Sequence, residues 1–250
     1  MFQRNRALTM AAAVIFLLGM SISGFASAIS HMSGPIPHSV GPQTRAFSAA
    51  ATPSTLLFAQ DADFLNVYAS QNDTNGLGNF ATAFDNFTLN ANATIDEFAW
   101  IGGYFNPSMQ GVMTGATLTF YADAGNQPGA ILWQGSGSGN FGETPVGFDQ
   151  FGDPMFIYSG TLPGFAVTAG TEYWVSIVPD VGFQPEWGWG TSSAGDHYGW
   201  QCFFGSCGAV DTDFSFALYT NTQTTPEPGT LVLMGTSLLG LAGVIRRKLS

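Results

Sequence analysis

From Leu56 onward, apolar and polar residues alternate in short segments broken by Gly, Asn, Asp and Pro, the period-two pattern of half-buried strands. In the segment 116–123, Ala116, Leu118, Phe120 and Ala122 fall on one face and Thr117, Thr119, Tyr121 and Asp123 on the other. Asp123-Ala124-Gly125-Asn126-Gln127-Pro128-Gly129 is turn chemistry, and residues 130–134 return as the partner strand. Further strands are expected at 64–69, 80–89, 94–101, 155–159, 172–178, 186–191, 198–203 and 213–220. The stretch Gly135-Ser136-Gly137-Ser138-Gly139 reads as a low-complexity loop. No segment between residues 29 and 225 sustains a 3.6-residue period. Roughly ten short strands at this spacing predict an all-β fold over residues 55–222, a jelly-roll-like antiparallel sandwich of two sheets. A barrel is the alternative; an outer-membrane barrel would need longer, evenly spaced strands.

The ends depart from this pattern. Arg4 and Arg6 precede an apolar run from Ala11 to Leu18, and small residues follow up to Ala26-Ser27-Ala28. This describes a cleavable secretory signal helix over residues 1–28, too short to span a membrane. Residues 29–54 are rich in Ser, Ala and Pro and read as a flexible leader in which His31 and His38 are solvated. At the other end, Pro226-Glu227-Pro228 and Gly229 lead into an apolar helix over residues 230–245, closed by Arg246, Arg247 and Lys248. Such a helix is about 24 Å long, and snorkelling by the basic cluster covers the shortfall against a hydrocarbon core of roughly 30 Å. The cations hold that end in the cytoplasm and leave the body outside.

Pro226-Glu227-Pro228, the Leu/Gly-rich helix and the terminal Arg246-Arg247-Lys248 resemble the PEP-CTERM sorting signal of Gram-negative bacteria, over residues 223–250. The resemblance implies recognition by an exosortase that cuts near the Pro-Glu-Pro. It also implies transient anchoring in the inner membrane, and delivery to the surface or matrix of an exopolysaccharide-building cell. Two further phrases, Phe120-Tyr121-Ala122-Asp123 leading to Pro128-Gly129, and residues 167–176 (Val-Thr-Ala-Gly-Thr-Glu-Tyr-Trp-Val-Ser), resemble hairpins of choice-of-anchor sandwich domains. They imply a noncatalytic extracellular sandwich.

Charge narrows the function classes. No Lys or Arg occurs from Ala46 to Ile245, and residues 29–225 carry one Arg against 16 acids, a net charge of −15. Binding nucleic acid requires cations that displace counterions from phosphates, so no nucleic-acid partner is expected. Phosphoryl-transfer sites usually need a Lys or Arg clamp as well. Self-repulsion of this size favours solubility.

Candidate chemistry is sparse. Cys202 and Cys207 are the only cysteines and read as a disulfide in an oxidising compartment. His197 is the sole histidine of the folded region; Ser192 and Ser193 lie near it in sequence, but neither sits in a nucleophile-elbow motif. Paired carboxylates suit a structural Ca²⁺ better than glycoside hydrolysis, since calcium takes six to eight oxygens from loops. The candidates are Asp61, Asp63, Asp123, Asn126, Asp211 and Asp213. Trp187, Trp189 and Trp200 belong to a dense aromatic stretch and are the candidate sugar-stacking rings, against the alternative that they fill the core. The expectation is a noncatalytic envelope or matrix protein associated with exopolysaccharide. A carbohydrate-binding module, with or without calcium, is the alternative, and a glycan hydrolase comes behind it.

Overall fold

The turn residues become the corners of two stacked sheets. The computed structural model describes residues 54–105 and 110–221; the signal helix, most of the leader and the apolar tail helix lie outside the described residues. The strands are β1 (Thr55–Gln60), β2 (Ala62–Ala69), β3 (Gln71–Asp73), β4 (Gly78–Thr88), β5 (Ala93–Tyr104), β6 (Met113–Asp123), β7 (Pro128–Ser138) and β8 (Thr144–Phe148). They continue as β9 (Pro154–Val167), β10 (Glu172–Val181), β11 (Trp187–Ser192), β12 (Gly199–Phe203), β13 (Ser206–Val210), β14 (Asp213–Phe214) and β15 (Phe216–Thr220).

An eight-stranded sheet runs β1-β15-β5-β11-β14, with β2 on β11, β9 on β5 and β8 on β9. A seven-stranded sheet runs β13-β12-β4-β3-β10-β6-β7, with β4 also pairing β10. Pairing is antiparallel except between β3 and β10, which are parallel. The all-β, two-sheet sandwich expected from the alternation is therefore the fold.

The alternation places the core as well. Ala116, Leu118 and Phe120 of β6 face the other sheet and join a cluster with Phe98, Trp100, Tyr158, Val175, Trp189 and Phe216. Rings dominate it: Phe120 stacks on Phe165 at 4.5 Å, Trp189 on Phe214 at 5.1 Å and Trp100 on Tyr158 at 5.4 Å. Each such pair adds about 0.5–1.5 kcal/mol beyond the area it buries. On the opposite face of the eight-stranded sheet, Ala99, Ile101, Met155, Ala217 and Tyr219 meet Ala62, Phe64 and Val67 of β2 in a second cluster. That sheet is thus buried on both faces.

Some segments differ from expectation for identifiable reasons. The Gly-Ser stretch is strand, not loop: β7 runs to Ser138. A Cβ on Gly135 would lie 2.5 Å from the Trp133 ring, and one on Gly137 would lie 2.8 Å from Phe141. These glycines are seats for aromatic rings. The single strand expected at 213–220 is broken at Ser215, whose N–H donates to the Gly190 carbonyl at 2.8 Å and whose hydroxyl donates to Ile101 and Gly190 carbonyls. Four strands outside the expected set, β1, β3, β8 and β13, are short or carry no clean alternation.

Candidate functional site

Trp187 and Trp189 share one face of β11, as their spacing requires, and that face is the interior. Both are 0% exposed. The Trp187 indole N–H donates to the Tyr158 hydroxyl at 3.1 Å, and that of Trp189 to the Ser215 carbonyl at 2.8 Å. The core reading therefore replaces the sugar-stacking one for these two residues, because no ring face is left for a ligand. Trp200 differs. It is partly exposed on β12, beside the inward-facing Gln201 and Phe203, which reach the Ala69 carbonyl and the small cluster around Phe80.

Trp200 lies on the outer face of the seven-stranded sheet, and cross-strand register shows what accompanies it. Trp200 is opposite Phe84 on β4, Phe84 opposite Ser176 on β10, Ser176 opposite Thr119 on β6 and Thr119 opposite Gln134 on β7. A second row sets Asn86 opposite Trp174 and Trp174 opposite Tyr121. Five strands at about 4.8 Å spacing make a face about 19 Å wide. Phe84 meets the Tyr121 ring edge-on at 5.4 Å, and Trp174 meets Tyr198 at 6.2 Å. Polar groups between the rings satisfy one another. Tyr121 and Ser176 hydroxyls are 3.0 Å apart, and the Gln134 amide donates to Thr119 at 3.1 Å. The Asn86 amide donates to Glu172 at 2.8 Å and to Asp196 at 3.1 Å. Trp174 and Phe84 are buried by these neighbours, while Tyr121, Tyr198 and Trp200 keep partial exposure. The pattern gave Tyr121 its outward direction; Phe84 and Trp174 were hidden in strands with apolar residues on both faces.

The carboxylates are distributed rather than gathered. Asp63 accepts from Leu65 N–H, Thr191 and Ser193, and Ser192 donates to the Asp61 carbonyl. Asp123 closes the β6–β7 turn by accepting from Gly125 and Asn126 N–H, and it also accepts from the Trp174 indole at 3.0 Å. Desolvation pushes Asp123 up, but the donors led by Trp174 outweigh it and hold the carboxyl below its ordinary range. Asp211 is exposed and Asp213 buried. Of the six proposed calcium ligands, Asp63, Asp123 and Asp213 each accept hydrogen bonds from different segments. Among the described residues, no group of three or more His, Cys, Asp or Glu side chains is arranged to hold a metal ion.

Two carboxyls lie deep in the sandwich. Asp85 accepts from Phe214 N–H at 2.5 Å and Asn86 N–H at 2.8 Å, and Asp213 accepts from His197 N–H at 3.0 Å. Burial raises Asp85 well above the usual range, and burial likewise raises Asp213. His197 Nδ1 is 3.9 Å from Asp213 with its side chain 62% exposed. Ser192 spends its hydroxyl on the Asp61 carbonyl between β1 and β2 and Ser193 on the Asp63 carboxylate of β2, so no serine–histidine pair forms there. Cys202 and Cys207 are bonded, directly opposite each other across β12 and β13. A cavity of about 140 Å³ between the sheets, lined by Trp100, Leu118, Trp133, Phe141 and Leu162, approaches the volume that accommodates one benzene-sized ring.

A family model of the PEP-CTERM protein-sorting motif matches residues 224–248. The chain carries a PEP-CTERM sorting signal. The match takes in Pro226, Glu227 and Pro228 and the cluster Arg246, Arg247 and Lys248, which lie outside the described residues. A PEP-CTERM signal marks an exported protein of Gram-negative bacteria, recognised and processed by an exosortase and anchored transiently in the membrane. No curated protein and no solved structure matches the chain.

Proposed function

We propose that this PEP-CTERM chain is a noncatalytic envelope or extracellular-matrix protein whose sandwich associates with exopolysaccharide after exosortase processing. The sorting signal at residues 224–248 carries the reading, because it directs the body to the outside of the cell. The body supports it: a cation-free, acidic sandwich suits a soluble matrix component and repels other polyanions. The β6–β7 hairpin and the β9–β10 segment, which crosses between the sheets instead of forming the expected hairpin, carry the sequences that resemble choice-of-anchor domains and support a structural role, as does the use of the acids as turn acceptors.

Fractionation of producing cells with and without the exosortase tests this. In exosortase-positive cells the protein is expected in the matrix fraction, shortened at its C-terminus and with Cys202 bonded to Cys207. In cells lacking the enzyme it is expected full-length in the membrane fraction. Intact protein in the cytosol, with both thiols free, would overturn the proposal, as would turnover of a glycan that a single Asp or Glu substitution abolishes.

A further inference from the structure

We propose that the outer face of the seven-stranded sheet is the binding surface for a neutral polysaccharide, with Trp200, Tyr121 and Tyr198 as its stacking rings. The inference rests on the exopolysaccharide association above and gives it a location.

The first argument is the contrast between the two outer faces. On the eight-stranded sheet, outward apolar side chains are roofed in a cluster with β2. On the seven-stranded sheet, Phe84, Tyr121, Trp174, Tyr198 and Trp200 belong to none of the hydrophobic clusters among the described residues. An antiparallel sheet that packs on one side normally turns polar residues to water on the other. Tyr121, Tyr198 and Trp200 remain partly exposed there and present ring surface that a ligand can cover.

The second argument is chemical. A sugar ring offers apolar C–H faces and a rim of hydroxyls. This sheet face offers the partly exposed rings and the exposed Gln134 amide, while the buried Thr119, Ser176 and Asn86 hydrogen-bond within the face and fix its shape. The two covered rings, Phe84 and Trp174, pack against Tyr121 and Tyr198, so these two side chains have little freedom left to lose on binding. A face about 19 Å wide accepts an extended chain, whereas the cavity of about 140 Å³ does not.

The third argument is charge. No Lys or Arg occurs in the sandwich, and Asp123, Glu172 and Asp196 border the rings. A uronate- or phosphate-bearing polymer would meet like charge with no cation to neutralise it. A neutral polymer loses nothing to that field.

The test uses the exported protein purified from producing cells. Affinity electrophoresis and tryptophan fluorescence would be run against dextran, xylan, mixed-linkage β-glucan and galactomannan, with alginate as the anionic probe and the exopolysaccharide of the producing strain alongside. Retention by at least one neutral polymer is expected, little changed between about 0.05 and 0.5 M salt, because an uncharged ligand has no screened attraction. Trp200→Ala and Tyr121→Ala are each expected to weaken it at least tenfold, Trp200→Phe to restore part, and Phe204→Ser at the tip of the β12–β13 hairpin, which is no part of the proposed row of rings, to leave it intact. Melting curves would confirm that each variant is folded, and Trp200→Phe keeps the test decisive if Trp200→Ala is not. Preference for alginate, binding unchanged in the Trp200 and Tyr121 variants, or no retention by any neutral polymer would each overturn the proposal. If wild-type protein sits in the matrix while these variants bind equally well, the face is wrong and the functional reading stands. If Trp200-dependent binding occurs but the protein never reaches the matrix, the reverse holds.

Discussion

Asp85 shows how a single side chain can set a pH dependence. It is 0% exposed, it accepts two backbone N–H groups, and burial raises its carboxyl far above the usual range. The folded state therefore holds this proton more tightly than the unfolded chain, and stability is lost as pH rises from the ordinary carboxylate range toward the raised value. Asp85→Asn keeps a side-chain acceptor without the charge. Its stability relative to wild type is expected to rise with pH, close to neutral at pH 5 and most favourable at pH 8 in urea denaturation. Asp85→Ala instead leaves two buried N–H groups unpaired and is expected to cost about 2–5 kcal/mol at pH 5, and less as pH rises and wild type loses the contribution of its protonated carboxyl. The sequence could not reveal this residue, because Asp85 sits in Phe84-Asp85-Asn86-Phe87 and its partner Phe214 is 129 positions away. Trp187 and Trp189 make the complementary point. Their common face was legible, but whether that face met solvent or the other sheet depended on β2, β5 and β14 arriving around β11.

At the scale of elements, the strands with clean alternation were the legible ones. β6 has a core face and an outer face as its sequence predicts, and its turn at Asp123 is held by the hydrogen bonds that turn chemistry requires. The less legible strands are β1, β3, β8 and β13, which are short or carry no clean alternation. β11, with every residue buried, and β7, with none, were legible as strands, but not which of their faces meets the core. Trp200 was legible as a candidate; its neighbours Phe84, Ser176 and Thr119 come from three other strands and meet it only through register. The β12–β13 hairpin adds a covalent rung at its tip, where Phe204 is 64% exposed and stacks on Phe80 at 5.3 Å. Closing so short a loop restricts the unfolded chain by about 2 kcal/mol in the entropy model. Cys202→Ser with Cys207→Ser is expected to lower Tm by about 4–8 °C, measured by calorimetry, with the sheet retained because β12 still pairs with β4.

The sandwich as a whole combines carboxyl groups of opposite pH response, with no Lys or Arg between Ala46 and Ile245 to balance them. Burial raises Asp85, Asp213 and Glu186, the last to about 7. These groups favour the folded state at low pH and lose that contribution as pH rises, for Glu186 between its ordinary range near 4.5 and about 7. Asp73 works the other way: the N–H of Phe183 foremost, then those of Leu77 and Asn75, outweigh burial and lower its carboxyl. Its contribution, like that of Asp123, is present above the ordinary range and lost as pH falls below it. Stability is therefore expected to peak near pH 4–5 and to decline toward pH 8 as the acids ionise and repel one another. A series of thermal melts across that range checks this, and added salt should recover part of the loss at pH 8.

The position of β15 has a mechanical consequence. It is the last strand before the tail, and it lies between β1 and β5 instead of at a sheet edge. Thr220 is opposite Thr55 and Tyr219 opposite Glu97, so hydrogen bonds flank β15 on both sides. Tension drawn through the tail acts along this strand. The rungs of both ladders then share the load in shear rather than opening one after another, for as long as the tail holds the body to the membrane before processing.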